Sequence, residues 1–218
     1  MNENLAQRWM KPVAVLLWLL TAGVVLSSIG LLVARPWYLR HRAIAELKRH
    51  GDFEIIEDGE YVIFSLNEEP DRETVADLAV FLERVRCTHL GLQGTANLKD
   101  INGLERVESL RMLFLFDTGV SDVSPLAALT NLQRLDLDGT GVSDVGPLAA
   151  LTNLQWLDLT GTGVSDVGPL AALTNLQLLY LDGTGVSDVG PMAALTNLRE
   201  LYLIGTKVPE EQVEALRK

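Results

Sequence analysis

The sequence is poor in the residues that most often carry enzymatic chemistry. Its 218 residues include one cysteine and three histidines, and aromatic residues make up 6% of the chain. No HExxH, CxxC or GxSxG motif occurs, so no zinc peptidase, dithiol or serine-nucleophile site is indicated. One cysteine also cannot form an intramolecular disulfide. We therefore expect a protein without catalytic activity and without a cofactor.

Charge is absent from one long stretch near the N-terminus. No charged residue lies between Pro12 and Ala34, and about 22 residues of helix, at about 1.5 Å each, are long enough to cross a bilayer. Trp9 and Trp37 flank the stretch, as interfacial aromatics do. We predict a transmembrane helix at residues 12–35 after a tail at 1–11. The alternatives are a cleaved signal peptide, whose apolar region is normally about 7–15 residues long, and a buried helix of a soluble protein.

Basic residues on the two sides of this stretch predict its orientation. Two precede it and five follow it, namely Arg8 and Lys11, then Arg35, Arg40, Arg42, Lys48 and Arg49. The positive-inside rule therefore favours a cytoplasmic C-terminal body, and the alternative is an extracytoplasmic one. Residues 36–218 carry 28 of the 29 acidic residues but 15 of the 18 basic ones. Such a surface repels phosphates, so nucleic acid is not an expected partner.

A 22-residue repeat dominates the second half of the chain. The segment LTNLQRLDLDGTGVSDVGPLAA from Leu129 returns almost unchanged from Leu151 and Leu173, with looser copies from Val107 and Leu195. Around Leu135 apolar and polar residues alternate, which is typical of a strand, and each PLAAL run has helical spacing. Each unit is therefore predicted as a short strand, a turn, and a brief helical return. Single units of this size need neighbours, so a stacked solenoid is expected.

The repeated pattern LTNLxxLxLxGTxVSDVxPLAA resembles the leucine-rich repeats. It is most similar to the 22-residue class of bacterial internalins and phosphatase-regulatory subunits, and it covers about half of the chain. The resemblance implies an α/β solenoid with a curved parallel sheet of about six or seven strands and short helical or 3-10 returns. The family's turn asparagine is threonine here, so the family's asparagine hydrogen-bond ladder is not expected. The threonines are Thr118, Thr140, Thr162, Thr184 and Thr206.

Segments of different pattern flank the repeats. We predict a juxtamembrane helix, a hairpin around Asp58-Gly59 and an N-terminal cap helix from Pro70 or Asp71 to about Arg86, all within residues 36–86. The hairpin's second strand is expected to begin the same sheet. The repeats are predicted over residues 87–206. A C-terminal cap helix is predicted over 207–218, because a solenoid's open ends must be covered.

Isolated residues that could take part in catalysis or metal binding are explained by structural roles. Cys87 stands where a repeat places a buried leucine, and His89 falls at an outward strand position. The run Asp136–Gly139 superficially suggests a calcium loop, but Leu137 is a core position, so no metal is predicted. Asp144 and its copies precede the proline turn and are expected to accept hydrogen bonds from the local backbone.

The outward positions of the strands vary between copies while the scaffold letters hardly change. They fall into three columns on the concave face, where aromatic and apolar residues stand beside aspartates. We predict that this face binds a protein with basic and apolar groups. The predicted site residues are Met112, Phe114, Phe116, Arg134, Asp136, Asp138, Trp156, Asp158, Tyr180, Asp182 and Tyr202.

Three functions remain open at this point. The first is a membrane-anchored, non-catalytic protein that binds another protein through its concave face. The second is a regulatory or accessory subunit of an enzyme such as a phosphatase, which the family resemblance permits. The third is a structural surface-display module. Random drift at unconstrained surface positions would also make the three columns vary between copies. The prediction of a binding surface therefore rests on the types of residue in the columns more than on their variability.

Overall fold

A computed structural model of the chain describes residues 51–56, 61–66, 72–92 and 96–216. These belong to one unit, Ala43–Lys218. The predicted tail, transmembrane helix and juxtamembrane helix lie outside these residues. Neither the length nor the hydropathy of a membrane span is reached by any helix within the described ranges.

The strands form one eight-stranded sheet in sequential order. β1 and β2 are antiparallel, and every later neighbouring pair is parallel. This confirms the predicted parallel repeat sheet. The strands are β1 Gly51–Ile56, β2 Tyr61–Leu66, β3 His89–Gly91, β4 Met112–Phe114, β5 Arg134–Asp136, β6 Trp156–Asp158, β7 Leu178–Tyr180 and β8 Glu200–Tyr202.

The return segments are short 3-10 helices. A proline is the second residue of each of the four regular ones, where its missing N–H leaves no unpaired donor. Each closes with an i to i−3 bond, such as Leu151 N–H to the Leu148 carbonyl at 2.9 Å. These segments are too short for an α-helix to develop. They lie at Leu104–Arg106, Ser124–Ala128, Gly146–Ala150, Gly168–Ala172 and Gly190–Ala194.

One continuous core lies between the sheet and the returns. The strand leucines, such as Leu135 and Leu157, and the return leucines, such as Leu148, are completely buried. Cys87 is buried among them, which confirms its interpretation as a small core residue, and its Sγ lies 3.2 Å from the His89 carbonyl. Stacking makes this core continuous, which a single repeat cannot do.

The N-terminal end of the core is covered by α1, Arg72–Val85. Val75, Leu78 and Leu82 on its predicted apolar face are buried. The helix packs against the first return close to Gly103, which has a φ of +110° and where a Cβ would lie 3.1 Å from Ala76 Cα. The hairpin strands precede α1, and β2 pairs with β3 in parallel, as the sequence predicts.

The C-terminal end is covered less completely. α2, Glu210–Leu216, has no buried residue. Between it and β8 lies a cavity of about 630 Å³. Leu198, Leu201 and Leu203 line it and are partly exposed, although their counterparts in earlier repeats are completely buried. The core therefore ends in a partly open apolar surface.

Three sets of polar side chains stabilise the repeats through hydrogen bonds to the backbone. The turn threonines donate to the carbonyl three residues back, as from Thr162 Oγ1 to Leu159 at 2.6 Å, and all of them except Thr206 are buried. The aspartates before the prolines accept from the N–H two residues on, as Asp144 does from Gly146 at 2.8 Å, which confirms their predicted role. A third set joins successive repeats, as from Asn153 Nδ2 to the Thr130 carbonyl at 2.9 Å. This asparagine ladder, formed by the LTN asparagines, was not predicted.

Candidate partner-binding surface

The register of β4 to β8 places the predicted site residues in aligned columns on the outer face of the sheet. Along β4 to β7 the central leucine is buried, so the residues on either side face outward. The first column is Met112, Arg134, Trp156, Leu178 and Glu200, and the second is Phe114, Asp136, Asp158, Tyr180 and Tyr202.

A third column continues just beyond the strands. Backbone bonds keep the spacing there, as from Asp117 N–H to the Asp138 carbonyl and from Gly161 N–H to the Asp182 carbonyl. Its members are Phe116, Asp138, Thr160, Asp182 and Ile204. Ile204 is the most exposed large apolar residue among the described residues, at 76%.

The apolar members of this face are less exposed than the sequence suggests. Met112, Phe114 and Phe116 are only partly exposed, and so are Trp156 and Tyr180. The physical reason is the narrow spacing of about 4.7–4.9 Å between strands, which lets neighbouring side chains cover one another. What reaches solvent is therefore a closely packed surface rather than a row of separate aromatic side chains.

Three aromatic rings on consecutive strands form an aromatic row, Trp156, Tyr180 and Tyr202. Trp156 and Tyr180 meet edge to face, with ring centroids 5.8 Å apart and an interplanar angle of 61°. Tyr180 and Tyr202 stack, with centroids 4.4 Å apart and 13° between the planes. The Arg134 guanidinium lies 5.4 Å from the Trp156 ring centroid, within reach of a cation–π interaction. The row therefore continues across four strands.

Four carboxylates form an acidic group next to the aromatic row, namely Asp117, Asp136, Asp138 and Asp158. Asp136 is half-buried, and this burial, reinforced by the charges of the other three, raises its pKa to about 6. Burial and the charges of Asp158 and Asp117 also raise the pKa of Asp138. A positive group bound here would relieve this repulsion.

Three aspartates of the columns also accept hydrogen bonds from backbone N–H groups. Asp136 accepts from Asp138 N–H at 3.1 Å, and Asp158 accepts from Thr160 N–H at 2.8 Å. Asp182 accepts from Ile204 N–H in the next repeat. These bonds stabilise the turns after the strands, and each still leaves a carboxylate oxygen for other interactions.

Two charged residues of this surface were not predicted as site residues. Asp117 occupies a left-handed position, with a φ of 56°, where later repeats have glycine, such as Gly139 with a φ of 66°. Glu200 accepts a 2.8 Å hydrogen bond from the Tyr202 hydroxyl. Glu200 stands in the first column and is visible in the sequence pattern. Asp117 departs from the repeat consensus, and that departure is the only signal for it.

Among the described residues, no histidine and no metal-binding group forms part of this surface. His89 lies on β3, partly exposed, with its ring Nδ1 2.7 Å from Thr88 Oγ1. His41 and His50 lie outside the described residues. Within the part of the chain that the structure describes, no group of three or more His, Cys, Asp or Glu is placed to hold a metal ion.

Comparison with known proteins agrees with this architecture. Residues 108–150 match the family model described as Leucine Rich repeats (2 copies). Internalin C2 from Listeria monocytogenes is similar in structure, with a TM-score of 0.58 and 32% identity, over 67% of this chain and 62% of that one. Another internalin of the same species, inlF, has a TM-score of 0.56 and 26% identity, over 78% of this chain and 56% of that one.

A leucine-rich-repeat protein of Leptospira interrogans shares the fold, with a TM-score of 0.60 and 20% identity, over 68% of this chain and 38% of that one. The chain spans less than two thirds of the length of each of these structures. A comparison with curated proteins finds no match. From its repeats, its sheet and these similarities, the chain is a leucine-rich repeat protein with internalin-like structural neighbours.

Proposed function

We propose that this protein binds another protein through the outer face of β4 to β8 and catalyses no reaction itself. The observation that carries the proposal is the aromatic row beside the acidic group on one sheet face. Leucine-rich-repeat proteins typically mediate protein–protein interaction. Tyrosine, tryptophan and arginine are the residues most enriched at the energetic centres of such interfaces.

The chemistry of the face defines the partner. Its three columns hold five carboxylates and one basic residue, Arg134. An acidic partner would be repelled, whereas a partner with lysine or arginine and apolar side chains would match both components. The columns contain no His, Cys, Ser or Lys, so no Ser–His or Cys–His pair of nucleophile and base can form within them. That composition supports binding rather than catalysis.

The proposal includes a membrane anchor at residues 12–35, with the repeats in the cytoplasm. Its support is the uncharged stretch and the excess of basic residues after it. Retention in the membrane after alkaline carbonate washing would support the anchor, and release would contradict it. Protease added to intact cells should leave cytoplasmic repeats undigested, and digestion would place them outside the cytoplasm.

The binding surface is tested by replacing two aromatic anchors. The double variant Trp156→Ala/Tyr180→Ala should lose capture of the partner in a pull-down, because both side chains contribute to the proposed surface. Both residues are partly exposed and contact each other, so the thermal melting midpoint should fall, but the repeats should still fold, and capture is measured below that midpoint. A matched control is Ser143→Ala, which alters an exposed turn away from the columns. If the double variant still captures the partner, the proposed face is wrong.

A further inference from the structure

The arrangement of the rings limits how a partner chain can use the aromatic row. Tyr180 and Tyr202 cover each other's faces, and the Arg134 guanidinium lies over the Trp156 ring. The row therefore presents ring edges, hydroxyl groups and the gaps between non-parallel rings, rather than a broad flat platform. This surface suits narrow, ring-shaped apolar groups better than a large planar ligand.

The inner strands also offer a partner few backbone hydrogen bonds. β5, β6 and β7 are paired on both edges, so a chain lying on their face meets side chains only. An added β-strand would leave its own N–H and C=O groups without ladder partners there. A polyproline II segment has no internal hydrogen bonds and keeps its backbone solvated, so it loses none on docking.

The spacing of the surface matches the polyproline II repeat. Tyr180 and Asp136 stand in one column two strands apart, a separation of about 9.5 Å at standard strand spacing. One polyproline II turn has three residues and advances about 9.3 Å. An α-helix advances about 5.4 Å per turn and falls out of step with the strands over a few repeats. A polyproline II segment crossing the strands therefore repeats in register with every second strand.

From these observations we propose that the partner segment is a proline-rich chain in the polyproline II conformation, which crosses β5 to β8 and carries a basic residue. A proline packs against Tyr180, and a lysine or arginine three residues away reaches Asp136 and Asp158. If the segment shifts by one strand toward β8, Tyr202 contacts the proline and Asp158 receives the basic residue, because these two residues are also two strands apart in the same column. This inference rests on the proposed binding function and specifies its ligand class.

The electrostatics at Asp136 support the basic position. Asp117, Asp138 and Asp158 all act on Asp136 with the same charge, and a bound cation would reduce that repulsion. Arg134 is the one basic side chain of the columns, and it already lies against an aromatic ring of this face. A guanidinium from a partner would meet the same combination of ring and carboxylate.

The test uses synthetic labelled peptides and the full-length chain in mild detergent, with binding measured by fluorescence anisotropy. The reference peptide has a P-x-x-P core with arginine three residues from a proline. One comparison peptide has the arginine moved by one residue, one has alanine for both prolines, and one is an amphipathic helix of equal charge. We expect the reference peptide to bind at least tenfold more tightly than each comparison peptide.

Protein variants separate the two contacts. Tyr180→Ala should weaken the reference peptide at least tenfold, and Asp136→Asn should remove the preference for the in-register arginine. Ser143→Ala should change neither. Equal binding of the alanine peptide, tighter binding of the helix, or no binding of any peptide overturns the inference. The proposed function fails separately, if partner capture survives loss of Trp156 and Tyr180.

Discussion

The rings of Tyr180 and Tyr202 stack on neighbouring strands with their centroids 4.4 Å apart. This distance is close to the strand spacing itself, about 4.7–4.9 Å, so both rings project from the sheet in parallel. The parallel register of β7 and β8, which pairs these two residues, produces the stack. A repeat of constant length therefore turns two tyrosines that are 22 residues apart in sequence into one continuous surface.

The tyrosine at the end of this stack should ionise later than an ordinary phenol. The hydrogen bond to Glu200 and the charge of Glu200 raise the pKa of Tyr202, because the phenolate would lie beside a carboxylate. Glu200→Gln should lower that pKa toward the usual value of about 10. Absorbance titration near 295 nm, as the difference between each protein and its Tyr202→Phe counterpart, measures this. An unchanged Tyr202 titration in Glu200→Gln would show that the glutamate is not responsible.

Asp136 should destabilise the fold at neutral pH. Its pKa rises from 3.8 to about 6 in the folded chain, so folding favours the protonated carboxyl. The contribution of Asp136 to stability is therefore most favourable below about pH 4, decreases as the pH rises to about 6, and is constant above that. A shift of about two units corresponds to about 3 kcal/mol, and solvent screening of this half-buried group reduces the expected effect to about 1 kcal/mol.

Asp136→Asn tests this pH dependence. The variant should melt at a higher temperature than the wild type at pH 7, and the difference should diminish between pH 6 and pH 4. Asp166→Asn is a suitable control, because that carboxylate is exposed, lies outside the three columns and accepts a hydrogen bond from Gly168 N–H at the start of a return segment. A difference between Asp136→Asn and wild type that stays the same at pH 4 and pH 7 would refute the electrostatic explanation.

The buried turn threonines should stabilise each repeat measurably. Thr162 is buried and donates to the Leu159 carbonyl at 2.6 Å. Thr162→Val keeps the shape but removes the donor, and it should reduce the free energy of unfolding by about 1 kcal/mol. Thr174→Val changes an exposed threonine in a neighbouring segment and should have little effect. Denaturant unfolding of both variants measures the difference, and equal losses would contradict a specific role for the buried hydroxyl.

The repeat scaffold was predictable because its information is local and periodic. The alternation around Leu135 and the proline of each return determine a strand and a 3-10 segment within one unit. The hydrogen bond from Asn153 to Thr130 was not predicted, because it joins residues 23 apart and depends on how repeats stack. A single unit contains the asparagine but not its acceptor.

The columns of the surface follow from the same periodicity, but their electrostatics do not. The register that aligns Trp156 with Arg134 is a consequence of repeat length. The partial burial of Asp136 and the contribution of Asp117 depend on side-chain packing across three strands. Asp117 also adopts a conformation that the other repeats assign to glycine. The sequence therefore predicted which residues share the face, but not how strongly they influence one another.

Stability should decrease toward the C-terminal end of the repeats. Leu157 on β6 is completely buried, whereas its counterpart Leu201 on β8 is partly exposed beside the cavity of about 630 Å³. Leu157→Ala should reduce the free energy of unfolding by about 2–5 kcal/mol, because it leaves a void in a closed core. Leu201→Ala removes the same atoms from a surface that solvent already reaches, so its cost should be lower, about 1–2 kcal/mol.

Hydrogen exchange tests the same gradient without substitution. Amides of β8 should exchange faster than those of β6, because local opening at an exposed end requires less apolar surface to be uncovered. The two strands occupy equivalent positions within their repeats, so they differ in how far each lies from the C-terminal end of the sheet. Equal protection of β6 and β8, together with equal costs of the two alanine substitutions, would mean that α2 closes the end of the core. The partly exposed leucines of β8 lead us to expect the opposite result, with opening that begins at β8 and proceeds toward β6.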